Sequence, residues 1–127
     1  MIRYLSEKDI LLAHFALIER YGGSHGVRDI ERIKSVVQAA RQEVFGVPQY
    51  ASLFEKSAVY ARNIIGDHPF NDGNKRTGIT VAVLFLQLNG VVLHLKKGEL
   101  EDFAVRIAVE RLDVPVIAAW LNQHSKS

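Results

Sequence analysis

The stretch Thr77–Leu88, TGITVAVLFLQL, is apolar on nearly every side of the helix that its composition suggests. A helix with one apolar stripe needs cover on one face only, whereas an all-round apolar helix has to be surrounded. The stretch predicts the central rod of a helical bundle, buried on all faces. Its longest apolar block, Val81–Leu86 with flanks, is too short to span a bilayer, so other parts of the chain must cover it. Asn89-Gly90 stops the rod.

The covering helices are legible from caps and spacing. Ser6 with Asp9 reads as an N-cap and acidic first turn, followed by Ile10, His14, Leu17 and Tyr21 at helical spacing. Gly22-Gly23 ends that helix. Asp29 caps a second with Ile33, Val36, Val37 and Ala40 inward. Gly46-Val47-Pro48 breaks the chain and opens a third, with Leu53, Ser57, Tyr60, Ala61, Ile64 and Ile65 on its inner side. After the rod, VVLHL (91–95) suits a short extended segment. Glu99–Leu112 reads as an amphipathic helix, and Asp113-Val114-Pro115 starts a last one through Trp120, a core anchor. The expected fold class is all-α: a compact bundle of about six helices with a buried central helix, one domain over residues 1–127.

Composition supports that frame. Of 127 residues, 48% are hydrophobic, enough to build a core without metal or disulfide support. Cysteine is absent, so thiolate chemistry is excluded and a reducing compartment fits. The opening MIRYLSEKDILLAHF mixes charge with apolar residues and lacks the apolar block of a secretory signal. The expectation is a soluble, cytoplasmic protein with no membrane contact. Sixteen basic against fourteen acidic residues leave a formal net charge of +2, spread along the chain. A nucleic-acid binder concentrates its charge on one face, so no direct nucleic-acid binding is expected.

The one dense basic pair, Lys75-Arg76, lies in DHPFNDGNKRTG (67–78), directly before the apolar rod. On the predicted map this is the loop and first turn of the buried helix. The first N–H groups of a helix have no partner within it, and the macrodipole adds partial positive charge there. Gly73 allows close backbone approach, and Asn74, Lys75 and Arg76 add N–H groups and two cations. That is a phosphate cradle, although no P-loop string occurs. Asp72 beside it could hold Mg²⁺ against phosphate oxygens, and is also the simplest N-cap for the rod. His68 lies four residues earlier, and histidine is the side chain most often used as a general base for a hydroxyl. Pro69 stiffens the loop, and Phe70 plugs into the core to fix it. Cations at a helix N-terminus oppose the macrodipole, which an anionic ligand would explain. His14, His25, His94 and His124 show no metal-ligand spacing and read as surface or core histidines.

HPFNDGNKRT resembles the signature of the Fic/Doc family, H-x-F-x-[DE]-G-N-[GK]-R, with His68, Phe70, Asp72, Gly73, Asn74, Lys75 and Arg76 all matching. The ending RYGG of the first helix, the G-V-R-D start of the second and the LNG end of the rod resemble the short Doc (death-on-curing) branch. That likeness runs over about the first three-quarters of the chain. Most Fic proteins have glycine at the place of Lys75 and a second arginine at the place of Ile79, and resemble one another in moving AMP onto a hydroxyl. Lysine in the cradle resembles Doc and implies γ-phosphoryl transfer from Mg²⁺-ATP to a protein hydroxyl. The resemblance further implies a toxin acting on elongation factor Tu and arresting translation, with a partner antitoxin. It makes His68 the base and Asp72 the Mg²⁺ ligand. Gly73, Asn74, Lys75 and Arg76 then hold the phosphates, with Thr80 one turn on in the same pocket. No inhibitory [ST]-x-x-x-E-[GN] string occurs in the chain, which again places the brake in another molecule.

Three other readings stand beside this one. The first is a Fic-type AMP transferase on a protein hydroxyl. The second is an all-helical HEPN ribonuclease, for which Arg62-Asn63…His68 has the spacing but which leaves Asp72–Arg76 without a role. The third is an idle binding module, against which the presence of both His68 and Asp72 argues.

Overall fold

A computed structural model describes residues 1–126. Among them six helices form: α1 (Glu7–Tyr21), α2 (Ile30–Arg41), α3 (Leu53–Asp67), α4 (Asn74–Leu88), α5 (Glu99–Glu110) and α6 (Val114–His124). The all-α expectation holds. Between α2 and α3, β1 (Glu43–Val44) and β2 (Val47–Pro48) pair antiparallel as a two-residue hairpin, which periodicity could not reveal because the pairing is so short.

The caps follow the sequence closely. Ser6 and Asp9 form a reciprocal capping box on α1, and Asp29 and Asp113 cap α2 and α6. A second capping box, Ser52 with Glu55, starts α3, so Gly46-Val47-Pro48 ends the hairpin rather than opening the helix. α5 stops at Glu110 because Arg111 turns left-handed, at φ 52°. Residues 91–95 form no strand; Val91 and Leu93 pack on the core, and the His94 N–H donates to the His124 carbonyl.

α3 and α4 make the most extensive helix pairing, and α6, α2, α5 and α1 close around them. Tyr60 and Phe85 meet at its centre with rings 5.2 Å apart, both fully buried. Burial pushes the Tyr60 hydroxyl pKa up to about 12, and its oxygen accepts the Leu5 N–H. The rod is not covered on every side: Leu84 and Leu88 are each 40% exposed. Uniform hydrophobicity hid this outer face, because a surface leucine reads the same as a buried one. On α1 the buried line is Ile10, His14 and Ile18, while Tyr21 projects outward. Trp120 is half-buried and stacked between Phe103 and His124.

Gly78 lets α3 and α4 come together just after the loop that joins them. A Cβ there would sit 2.7 Å from Ile65 Cγ1 and 3.2 Å from the Ala61 carbonyl oxygen. Alanine normally gains up to about 1 kcal/mol over glycine inside a helix. Overpacking costs about 1–3 kcal/mol and wins here, since neither Ile65 Cγ1 nor a backbone oxygen can step aside cheaply. Gly78→Ala should therefore lower stability in urea denaturation. An increase would show that the two helices have slack at this point.

Candidate active site

α3 ends at Asp67 because His68 takes a left-handed conformation, φ 50° and ψ 59°. The following Pro69 disfavours a helical residue at that place. The last carbonyl of α3, that of Asp67, accepts from the Arg28 and Arg32 guanidinium groups at the start of α2. The chain then runs along the loop that follows α1. The Pro69 carbonyl accepts the Arg28 and Asp29 N–H groups at 2.8 and 3.0 Å, and the Asn71 N–H donates to the Gly26 carbonyl at 3.1 Å. Val27 and Phe70 form a β-bridge. Phe70 is 1% exposed and does plug into the core.

Asn74 locks the turn. Its amide oxygen accepts the Phe70 N–H and its amide nitrogen donates to the Phe70 carbonyl, both at 3.0 Å. That side chain is therefore spent inside the loop. What Asn74 can still offer a phosphate is its first-turn backbone N–H. The N-cap of α4 is Gly73, at φ 77°, with no side-chain cap; Asp72 does not take that place.

Asp72 turns back instead. Its Oδ2 accepts the Ser24 N–H at 3.0 Å and its Oδ1 the Gly73 N–H at 2.8 Å. These two N–H groups, Ser24 first, hold the carboxyl below the usual carboxylate range, and Lys75 adds a smaller favourable charge. Each oxygen retains a lone pair, so an ionised, exposed carboxylate faces outward with capacity for a hard cation. Among the described residues no cluster of three or more His, Cys, Asp or Glu could hold a metal alone. A single carboxylate with the rest of the shell from phosphates and water is how Mg²⁺ is usually held, so this donor set fits that ion.

Glycine makes the approach possible. A Cβ on Gly23 would lie 2.7 Å from Asp72 Oδ2, and one on Gly26 2.4 Å from the Asn71 amide nitrogen. The sequence predicts Gly22-Gly23 as a helix stop. Gly22 is that stop, whereas Gly23 makes room for Asp72. Ser24, Gly26 and His14 were also missed as parts of the site. Only distances across the fold identify them, because nothing in their local spacing does.

Asp72, Gly73, Asn74, Lys75, Arg76 and Thr80 line one cavity of about 310 Å³, closed on the far side by Leu100, Glu101, Ala104 and Val105 of α5. Lys75 and Arg76 are exposed, and the Arg76 guanidinium lies 3.9 Å from the centroid of the Tyr21 ring, a cation–π contact that steers it along α1. Ile79, 2% exposed, lines the same cavity. His68 is not among these residues. It is exposed and lines a separate cavity of about 880 Å³, between the end of α3 and the α5–α6 junction. The cations and the histidine thus face two openings at the two ends of one short loop. Arg62 and Asn63, the other part of the ribonuclease-like spacing, are tied up: Arg62 donates to Asn63 Oδ1 and pairs with Asp113 at 2.6 Å.

The Asp72 carboxyl sets a pH dependence. A depressed folded-state pKa contributes stability that is fully present above the unfolded value, near 3.8, and lost as pH falls through the folded one. The stability gap between wild type and Asp72→Asn should be constant above about pH 5 and shrink under more acid conditions. A gap that grows on acidification would contradict the two N–H contacts.

Comparison with known proteins agrees with the motif. The profile of the Fic/DOC family matches residues 4–86. A relative named "Protein kinase doc", from Escherichia phage P1, is 34% identical over 122 residues, covering 96% of this chain and 95% of its own. A second, "Toxin Doc" from Mycolicibacterium smegmatis, is 33% identical over 123 residues, covering 95% of this chain and 92% of its own. The chain belongs to the Fic/Doc family.

Proposed function

We propose that this protein is a Doc-type toxin: a Mg²⁺-ATP-dependent kinase that moves the γ-phosphoryl group of ATP onto a hydroxyl of a translation factor, by family resemblance elongation factor Tu. The observation that carries this reading is the cavity at the start of α4. An ionised carboxylate, two exposed cations and unpaired first-turn N–H groups converge there, while Ile79 gives no grip on outer phosphates. The printed name of the phage relative, a protein kinase, points the same way.

In this reading Lys75, Arg76 and the α4 N-terminus bind and orient the phosphates, and Asp72 holds Mg²⁺, which supplies charge neutralisation on the phosphate oxygens when bound. The acceptor hydroxyl enters from the larger cavity, where His68 takes its proton. The hydroxyl oxygen forms a bond to the γ-phosphorus as the bond to the β–γ bridging oxygen breaks, and ADP leaves. The division of His68 and the cations between two openings suits a nucleotide on one side and a protein segment on the other. The toxin is held in check in the cytoplasm by a cognate antitoxin.

The direct test is incubation of a susceptible lysate with ATP labelled at the α- or the γ-phosphate. Label from the γ-position should reach a protein, while α-label stays in ADP. Covalent α-label would overturn the reading in favour of AMP transfer, and RNA cleavage without Mg²⁺-ATP would favour a ribonuclease. His68→Ala should lower transfer by about 10²–10⁴ while nucleotide binding persists. Asp72→Ala should weaken Mg²⁺-dependent turnover, and Lys75→Gly should reduce phosphorylation without creating an efficient AMP transferase. Expressed alone in a susceptible host, the protein should arrest growth; harmless expression of folded protein would contradict the toxin assignment.

A further inference from the structure

His14 has no place in the family motif or in the mechanism above, yet it reaches the centre of the site from another helix. It is 4% exposed on α1. Its Nε2 lies 2.8 Å from the backbone carbonyl oxygen of Asp72, 58 residues along the chain. Its ring stacks on Phe70 with centroids 3.7 Å apart and planes 4° from parallel. A carbonyl oxygen only accepts, so Nε2 carries hydrogen and His14 is the donor.

We propose that His14 is a positioning residue for the Asp72 carboxylate: by holding the Asp72 carbonyl and the Phe70 ring from α1, it sets the affinity of the site for a divalent cation bound with nucleotide phosphate. This rests on the reading of Asp72 as the cation ligand. The Asp72 carboxylate receives N–H groups from Ser24 and Gly73, and both contacts depend on how the Asp72 peptide is oriented. His14 fixes that orientation at its other end, the carbonyl. With the carbonyl drawn toward α1, the peptide cannot rock without leaving a buried imidazole unpaired. A leucine at this position would fill space but give no donor, and an amide would donate but give no flat face to Phe70. Imidazole does both. The close floor under the turn supports the same role: a Cβ on Gly73 would meet Ile18 Cδ1 at 3.0 Å and the His14 ring at 3.8 Å.

The test is Mn²⁺ binding in the presence of a non-hydrolysable ATP analogue, followed by electron paramagnetic resonance, together with melting temperature. His14→Phe keeps the stack and loses the donor. It should melt close to wild type but bind Mn²⁺ about 10-fold or more weakly, within the 10–100-fold range for residues that orient a metal ligand. His14→Gln, which restores a donor near Nε2, should recover most of that loss, while metal-free nucleotide affinity stays unchanged throughout. If His14→Phe does not fold, His14→Gln against the similarly sized His14→Met gives the same comparison. Wild-type Mn²⁺ affinity in the donor-less variants would overturn the positioning role, as would equal losses in variants with and without a donor. Absence of Mn²⁺ binding by the wild-type complex would instead remove the reading of Asp72, and this proposal with it.

Discussion

The two hydrogen bonds from the Asn74 side chain to the backbone of Phe70 are the contact on which the site depends. A turn that reverses between two packed helices leaves backbone groups without ladder partners, and buried ones cost about 1–3 kcal/mol each if unmet. Asn74 satisfies the N–H and the carbonyl of one residue at once. That closes the turn around a phenylalanine whose ring is anchored in the core. With Phe70 fixed, His68 is held at the end of α3 and Asp72 just before the start of α4.

The cost of this arrangement is electrostatic. Lys75 and Arg76 stand where the macrodipole of α4 is positive, a position that favours anions. Asp72, kept ionised by the Ser24 and Gly73 N–H groups, offsets part of that charge, and the Tyr21 ring holds the Arg76 guanidinium. The remaining positive potential is what a phosphate would relieve. In the proposed function this residual charge becomes binding energy for the nucleotide, so the site trades some stability of the free protein for affinity.

Sequence alone revealed the helices because their signals are local. Ser6–Asp9, Asp29 and Asp113 announce helix starts within a single turn, and the apolar rod announces the centre of the core. The motif residues were legible for the same reason, since all seven fall within one loop and one turn. What stayed hidden was relational. That Asp72 turns back to Ser24 instead of capping α4, that Gly23 clears its path and Gly26 that of Asn71, and that His14 meets the Asp72 carbonyl all depend on α1 lying against the loop. The exposed side of the rod at Leu84 and Leu88 was hidden because hydrophobicity does not say which neighbour is missing.

The site described above requires the loop between α3 and α4 to be formed before any nucleotide arrives. Amide hydrogen exchange tests it at two positions, the Phe70 N–H bonded to Asn74 and the Asn71 N–H bonded to Gly26. Local opening controls exchange at such sites, so a preformed loop protects them in the free protein. Both should exchange slowly without ligand, on the scale of the α3 core amides, and change little when Mg²⁺-ATP is added. Exchange at the rate of an unstructured peptide, with protection appearing only alongside nucleotide, would contradict the account.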